Sequence, residues 1–554
     1  MTYSPYFVPE SGNVSYPAIT LGAGVPFEDL YKFADVNNVT VAGGYHQTIA
    51  ASGGWVMGGG HSILSPVFGL GVDRVLQFRI VTPDGRIRVV NEFQNPDLFW
   101  ALRGGGGGTF GVVLESTMLV EPKMKLQVAS IHFTQTRQNA GSFLEILVEK
   151  ALKWSQEGWG GHMSPSGLIN VNPLLTLEQA KRSMQPAVDF ALSQNGTVVI
   201  EELPSWQAFF LKYVLAAEAA VGIPAILGSR LIPAQNFASD DGKASLVKIF
   251  TTMFNEFNIS INTVVGTPFL FNSTEGATSV TPAWRKSIWH MGFHGVWTYN
   301  ATVEDIRSQY ELVSHINQML RDITPGSGAY FNEGDVHEPD HEQSFWGDNY
   351  PALLEIKRKY DPYRLLDCWQ CVGWKGPEDE RYACYLYLVA FASTQVHATS
   401  EQWTALGRDL DGRLHTALPL SSPCFSTVNG ADVGRNETEC AMIRQEYTSP
   451  LFRSFPHWET CQRSSQKCLL DSMQPNNSAA WEGMDYEQGS VSPRYIDVQS
   501  AEDVQIAFRF AQETGVILSI KASGHDYKGR SGAPGSLGLW ARLLSYHRMA
   551  SFHC

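Results

Sequence analysis

Lys521-Ala-Ser-Gly-His-Asp-Tyr-Lys-Gly-Arg-Ser531 is the stretch whose reading decides the fold. It continues a strand-like run, Val516 to Ala522, that follows a helical pattern over Ala501 to Thr514, and a second strand pattern, Gly538 to Leu544, lies beyond it. Two other glycine-rich segments stand far away in the chain. One is Gly43-Gly-Tyr-His-Gln-Thr-Ile-Ala-Ala-Ser-Gly-Gly-Trp-Val-Met-Gly-Gly-Gly-His-Ser62, the other Gly104-Gly-Gly-Gly-Gly-Thr-Phe-Gly-Val-Val113. Glycines let backbone N–H groups approach a pyrophosphate with no Cβ in the way, and they adopt the positive φ that forms anion-cradling concavities. Singly, each segment reads as a turn or a bulge. None matches G-x-x-x-x-G-K-[ST], and none sits in a strand–GxGxxG–helix context, so a Rossmann fold is disfavoured.

Outward from these segments the chain changes character several times. Up to about Pro122 it is rich in β-branched residues and glycine. Short apolar runs such as Ala18 to Leu21 and Val75 to Val81 are punctuated by turns, and a helix is expected over Phe27 to Val36. From Lys123 to about Thr324, strand-like runs (Leu126 to Phe133, Ile259 to Val265) alternate with amphipathic helices (Ala140 to Trp154, Val303 to Leu320). A sheet covered by helices is the simplest architecture for that pattern. One further helix is expected over Tyr350 to Tyr360, and residues 393–495 read as loop-rich.

At 554 residues the chain exceeds one hydrophobic core, so two or three domains are expected. With 44% hydrophobic and 17% charged residues it has the composition of a soluble globular protein. A net charge of −14 argues against nucleic acid or an anionic membrane as partner, because either needs a basic face. The cysteines, Cys368, Cys371, Cys384, Cys424, Cys440, Cys461, Cys468 and Cys554, all fall in the second half. Cys424/Cys440 and Cys461/Cys468 have the spacing of local disulfide staples. Cys368-x-x-Cys371 reads as a redox pair or half a zinc site, and lacks a second ligand pair at zinc spacing, so no metal is expected. Sequons begin at Asn13, Asn38, Asn195, Asn258, Asn272, Asn300, Asn436 and Asn476. With the cysteines they point to a secreted, disulfide-bonded glycoprotein. The start, Met1-Thr-Tyr-Ser-Pro, is not a signal peptide; the apolar run Ala383 to Ala392 reads either as a buried element or as a relic of one.

In combination the segments resemble the fungal branch of the FAD-linked oxidases related to vanillyl-alcohol oxidase and berberine bridge enzyme, and most of all its isoamyl-alcohol-oxidase-like members. Gly43 to Ser62, with Phe68-Gly69 and Asp73 after it, is similar to that family's second flavin-binding segment. Asp97-Leu-Phe-Trp-Ala-Leu-Arg103 through Val113 is similar to its closing segment, and Ala522 to Ser531 to its opening one. Tyr330-Phe-Asn-Glu333, continuing through Phe345-Trp-Gly to Leu354-Glu-Ile-Lys-Arg-Lys-Tyr-Asp-Pro362, is similar to its berberine-bridge region. The resemblance spans nearly the whole chain, but in a circularly permuted order: residues 400–544 are similar to the family's front half and 1–390 to its back half. It implies an α+β fold, with a two-subdomain PCMH-type FAD-binding domain and an antiparallel-sheet substrate domain covered by helices. The implied boundaries are 1–122 (second part of the FAD domain), 123–325 (substrate domain), 326–392 (berberine-bridge-like region), 393–494 (loop-rich segment like the family's N-terminus) and 495–554 (first part of the FAD domain).

The resemblance also implies site residues. His525 stands where the family attaches FAD covalently, and an imidazole nitrogen is nucleophilic enough near neutral pH to add at the flavin 8α carbon. His46 stands where many relatives carry a second, cysteinyl tether, so a 6-S-cysteinyl link is not expected. The remaining cofactor-binding residues implied are Ser523, Gly524, Asp526, Tyr527 and Ser531; Gly43, Gly44, Thr48, Gly53, Gly54, Gly58, Gly59, His61, Leu64 and Asp73; Gly107, Gly108, Gly111, Val112 and Val113; and Asn332. Glu333 replaces the family's catalytic tyrosine and is the preferred base, its carboxyl expected to be raised toward neutrality by burial. Tyr330 and His46 are the other candidates, and a structural Glu333 bonded to a lysine or arginine is the alternative.

The function so implied is oxidation of an alcohol-type or other small organic substrate by hydride transfer to flavin, with O2 as acceptor. Two alternatives stand beside it: a flavin-dependent tailoring enzyme of fungal secondary metabolism, and a non-catalytic product of a fused gene model.

Overall fold

The computed structural model describes residues 1–217, 220–379, 382, 385, 398–452 and 468–542. The apolar run 383–392 apart from Tyr385, and Cys384, Cys461 and the tail from 543, lie outside the described residues.

Local chemistry sets several elements where the residue pattern predicts them. The helix Ala501–Thr514 begins at Ser500, whose hydroxyl accepts from the Asp503 N–H while the Asp503 carboxylate accepts from the Ser500 N–H, and it stops at Gly515 in the left-handed region (φ 73°). Thr302 and Asp305 cap Val303–Ile323 in the same way. Phe27–Val36 and Tyr350–Tyr360 form as expected. The strand at Gly538 to Leu544 is shorter and shifted, Leu537–Trp540.

Three sheets carry the fold. The first is antiparallel, in the spatial order Thr2–Phe7, Tyr16–Gly22, Val112–Leu119, Val75–Val81, Ile87–Val90. The second holds seven antiparallel strands, in the order Thr197–Leu203, Leu126–His132, Gly167–Asn172, Gly160–Ser164, Ser260–Val265, Ser287–Val296, Ala225–Pro233. The third, Leu414–Thr416, Arg494–Asp497, Leu537–Trp540, Leu518–Lys521, is parallel at its last two pairings. Mostly antiparallel sheets with helices segregated from them make an α+β fold, as expected.

Side chains alternate faces along a strand. In Ser287–Val296, Trp289, Met291 and Phe293 enter a core shared with the helices Arg137–Gln156, Asp240–Asn255 and Val303–Ile323. His290, Gly292 and His294 turn the other way.

The two far ends of the chain share one core. Val81, Val112 and Leu114 pack with Val504, Phe508, Leu537 and Leu539. A Cβ on Gly24 would fall 2.0 Å from the Arg542 carbonyl oxygen, so the chain just past the strands Tyr16–Gly22 and Leu537–Trp540 touches backbone to backbone.

The helix Tyr350–Tyr360 is pinned under the glycine run. Lys357 Nζ donates to Thr109 O, Leu366 O and Asp361 Oδ2, each at 2.6 Å, and both side chains of the Lys357–Asp361 pair are almost fully buried. Burial pushes the Lys357 ammonium down, and Asp361 opposes that. Asp361→Ala would strand the cation and the Leu365 and Leu366 N–H groups. The expected loss is about 3–5 kcal/mol of stability, read by urea unfolding; an undiminished midpoint would show that the helix is held by other contacts.

Candidate active site

The three glycine-rich segments meet at one cavity of about 600 Å³. A Cβ on Gly53 would stand 2.7 Å from the Ala522 Cβ, and one on Gly107 would stand 2.8 Å from Gly54 Cα, so the segments 53–54, 107–108 and 522–525 are in van der Waals contact. At Gly54 and Gly108 nothing lies within 4 Å of such a Cβ: their backbone faces open space. This is the lining a pyrophosphate needs, and the residues present fit FAD.

Most of the expected cofactor residues line this cavity: Gly44, His46, Gly53, Gly54 and His61 from the first segment; Gly107, Gly108, Gly111, Val112 and Val113 from the second; Ser523, Gly524, His525, Asp526, Tyr527 and Ser531 from the third. Tyr330, Asn332 and Glu333 complete it. Thr48 reaches it indirectly: its Oγ1 lies 2.7 Å from His525 Nε2. Asn332 Nδ2 donates to the His525 carbonyl at 2.9 Å, tying the 330–333 turn to the histidine loop. Asp526 accepts from Arg530 at 2.8 Å, bracing that loop from within.

Six expectations need correction. Asp73 does not face the cavity; its carboxylate caps the Leu70 N–H at 2.8 Å and makes a bidentate 2.7 Å pair with Arg285. Leu64 is a buried core residue. Gly43, Gly58 and Gly59 shape the walls from behind, and a Cβ on Gly43 would strike Phe27. The last concerns Glu333. Burial does push its carboxyl up, but His61, with His290 and His162 behind it, outweighs burial and holds it below 4.5. His61, whose Nε2–H donates to Oε1 at 3.3 Å, is the group in contact; His290 Nδ1 lies 3.8 Å from Oε2. Glu333 therefore meets histidines, not a lysine or arginine.

Burial pushes the Tyr330 phenol well above 10. Its ring meets those of His61, His290 and Trp284 edge-on, so it stands as a wall and stays protonated. His46 sits at the other end, its ring 4.9 Å from that of His525. Burial, then the charges of His46 and Lys521, lower His525 to about 3, which leaves a neutral imidazole at working pH.

His162, His290, Asn262 and His294 also line the cavity, and all come from residues 123–325, none of them among the expected site residues. Val264 pairs with both His162 and His290 across adjacent strands, so the two histidines flank it on one sheet face. Burial is the main force lowering each to about 4. The available signal was the histidine at every fourth residue, 290 and 294, inside an otherwise apolar strand.

Cys368 joins Cys371, and Cys424 joins Cys440, as disulfides. The second matches the expected staple; the first joins the two thiols read as a redox pair or half a zinc site, and Cys368 borders the cavity. Among the described residues no helix is long and apolar enough to cross a membrane.

Residues 12–91 match the family model described as an FAD binding domain, and residues 329–371 match the one described as berberine and berberine like. FAD-linked oxidoreductase OXR2 of Pyricularia oryzae is 40% identical over 402 residues, covering 71% of this chain and 68% of that protein. FAD-linked oxidoreductase ffsJ of Aspergillus flavipes is 39% identical over 417 residues, covering 68% and 67%. Among solved structures, the VAO-type flavoprotein MtVAO615 from Myceliophthora thermophila superposes with a TM-score of 0.59 at 27% identity, over 67% of this chain and 69% of that one. A glucooligosaccharide oxidase from Acremonium strictum, described with a 6-S-cysteinyl, 8α-N1-histidyl FAD, gives 0.52 at 22%, over 63% and 76%; at that identity the likeness is one of fold.

Proposed function

The chain belongs to the FAD-linked oxidoreductases of the vanillyl-alcohol oxidase and berberine bridge enzyme superfamily, and from that premise we propose that it oxidises a small alcohol-type substrate, with FAD held covalently through His525 and dioxygen as electron acceptor. The observation that carries the reading is one cavity with a neutral, oriented imidazole (His525) on its glycine-lined side and a carboxylate held by histidines (Glu333) on its sheet side. Bound FAD supplies the hydride acceptor and passes the electron pair on to dioxygen. Glu333 takes the hydroxyl proton onto its carboxylate while His61 keeps that carboxylate oriented. Tyr330 and the sheet face close the space around the reacting carbon.

Thr48 has a positioning role in this scheme. With the His525 Nε2–H donating to the Thr48 hydroxyl oxygen, the ring's lone pair is on Nδ1, the nitrogen left to attack. Thr48→Val should slow covalent attachment while leaving FAD bound, whereas Thr48→Ser should restore it. Flavin fluorescence on a denaturing gel over time measures this; equal rates in all three proteins would dismiss the role.

We also read the chain as circularly permuted. The backbone contact between 24 and 542 and the shared core of residues 81–114 and 504–539 support it. A secretory route is supported by the two disulfides and by the exposure of all eight sequon asparagines. Endoglycosidase treatment of protein from the native host should lower its mass; an unchanged mass would remove that support.

The decisive experiment is an acid-precipitated absorption spectrum with mass spectrometry of the His525 peptide, followed by oxygen-consumption assays on alcohols. A colourless protein, or a yellow one that never consumes oxygen with any alcohol, sugar or amine, would overturn the proposal.

A further inference from the structure

His61, His290 and Glu333 each offer one ligand atom, and these atoms all lie within 4.8 Å of one another. His61 Nε2 to Glu333 Oε1 is 3.3 Å, and His290 Nδ1 to Glu333 Oε2 is 3.8 Å. Around a tetrahedral zinc ion with bonds of about 2.0–2.2 Å, ligand atoms stand roughly 3.3–3.6 Å apart. The His61–Glu333 separation already meets that spacing, while the His290 contact, made to the other carboxylate oxygen, would have to shorten around an ion.

A second, independent observation concerns His290. It is fully buried, yet neither ring nitrogen has a hydrogen-bond partner among the described residues, and His162 Nε2 beside it has none either. A buried imidazole with both nitrogens unsatisfied is unusual in a folded protein and calls for an unseen ligand. Of the three ligands, His290 is held by antiparallel strand pairing, while His61 and Glu333 come from a loop and a turn that face it.

We propose that His61, His290 and Glu333 form a site for a divalent transition-metal ion, zinc by preference, on the substrate side of the cavity. Two imidazole nitrogens and one carboxylate suit zinc and its first-row neighbours better than calcium or magnesium. Three protein ligands leave one position for a water or a substrate oxygen, the pattern of an open rather than a structural site. The ligand class is therefore an oxygen donor such as a hydroxyl, held by the ion instead of by hydrogen bonds. A ligated hydroxyl is more acidic than a free one, so with the ion bound the metal would promote the proton loss that hydride transfer requires, and His61 and Glu333 would act as its ligands in place of their metal-free roles as orienting donor and base. This role rests on the reading that a hydroxyl substrate enters the cavity; the metal site itself does not.

The test uses the purified flavin-loaded protein, stripped with a chelator, reloaded with zinc chloride and passed through a desalting column. Elemental analysis should then find about one zinc ion per flavin. Cobalt(II) loaded in place of zinc, with the flavin bleached by dithionite, should show four-coordinate ligand-field bands. His290→Gln, His61→Ala and Glu333→Gln should each lose zinc retention and the cobalt bands while keeping their flavin content, which reports that the variants fold. His294→Ala, on the same sheet face but outside the cluster, should keep both signals. Absence of retained zinc in the parent protein, or retention undiminished in the three ligand variants, overturns the proposal. Zinc bound with no alcohol ever oxidised upholds the site and sinks the oxidase reading. Oxidation at full rate in a protein that binds no zinc does the reverse.

Discussion

The His525→Ala variant should carry no covalently bound flavin. In the parent protein, acid precipitation should leave a yellow pellet and a fluorescent band on a denaturing gel; in the variant all flavin should pass to the supernatant. The physical basis is specific to this ring. Burial keeps His525 neutral, with a pKa pushed to about 3, and Thr48 occupies Nε2. Asn332 fixes its backbone carbonyl, so the loop presents one nitrogen to the cavity. A pellet that stays yellow would mean that another side chain is the tether. His46 would be the first suspect, because its ring lies 4.9 Å from that of His525.

Glu333→Gln should retain flavin and lose turnover. Removing a positioned general base costs about 10²–10⁴-fold in rate, and glutamine keeps the shape and the contact with His61 while abolishing proton acceptance. The pH profile gives an independent check. Glu333 must be ionised to act, and its neighbours hold its carboxyl below the ordinary 4.5. Activity should therefore be level through the neutral range and fall only as pH drops below about 4.5; the parent's kcat/KM against pH measures this. An acid limb near pH 6–7 would point to a raised carboxyl or to another group. A Gln variant within about threefold of the parent would assign the base elsewhere.

What could be read from the residues alone divides by how local the cause is. The helices Phe27–Val36, Tyr350–Tyr360 and Ala501–Thr514 were legible because their period, and for the last its Ser500/Asp503 cap and Gly515 stop, lie within one short stretch. The glycine segments were legible for the same reason, and so was His525 inside its loop. His162 and His290 were not. Their meeting depends on the register of three strands, which pairs Val264 with both, and on which sheet face each strand turns inward. Asp73 misled in the opposite direction: it stands inside a flavin-type segment, but Arg285, 212 residues away, claims its carboxylate. The direction of the Glu333 shift failed likewise. Burial was foreseeable from its segment, whereas the three histidines that reverse the sign arrive from three other places in the chain.

The contact of Gly53 with Ala522, and of Gly24 with Arg542, has a consequence in time. A ribosome adds about 5–20 residues per second, so residues 1–122 emerge on the order of half a minute or more before 522–542 exist. During that interval the half-built flavin pocket has no third wall and lacks His525, and apolar side chains such as Val81, Val112 and Leu114 lack their partners from residues 504–539. Nascent chains should therefore depend on chaperones until residues 522–542 have emerged. A chain that stops before residue 500 would lack the partners that close this core. Holding flavin thus reports that synthesis has passed this late segment.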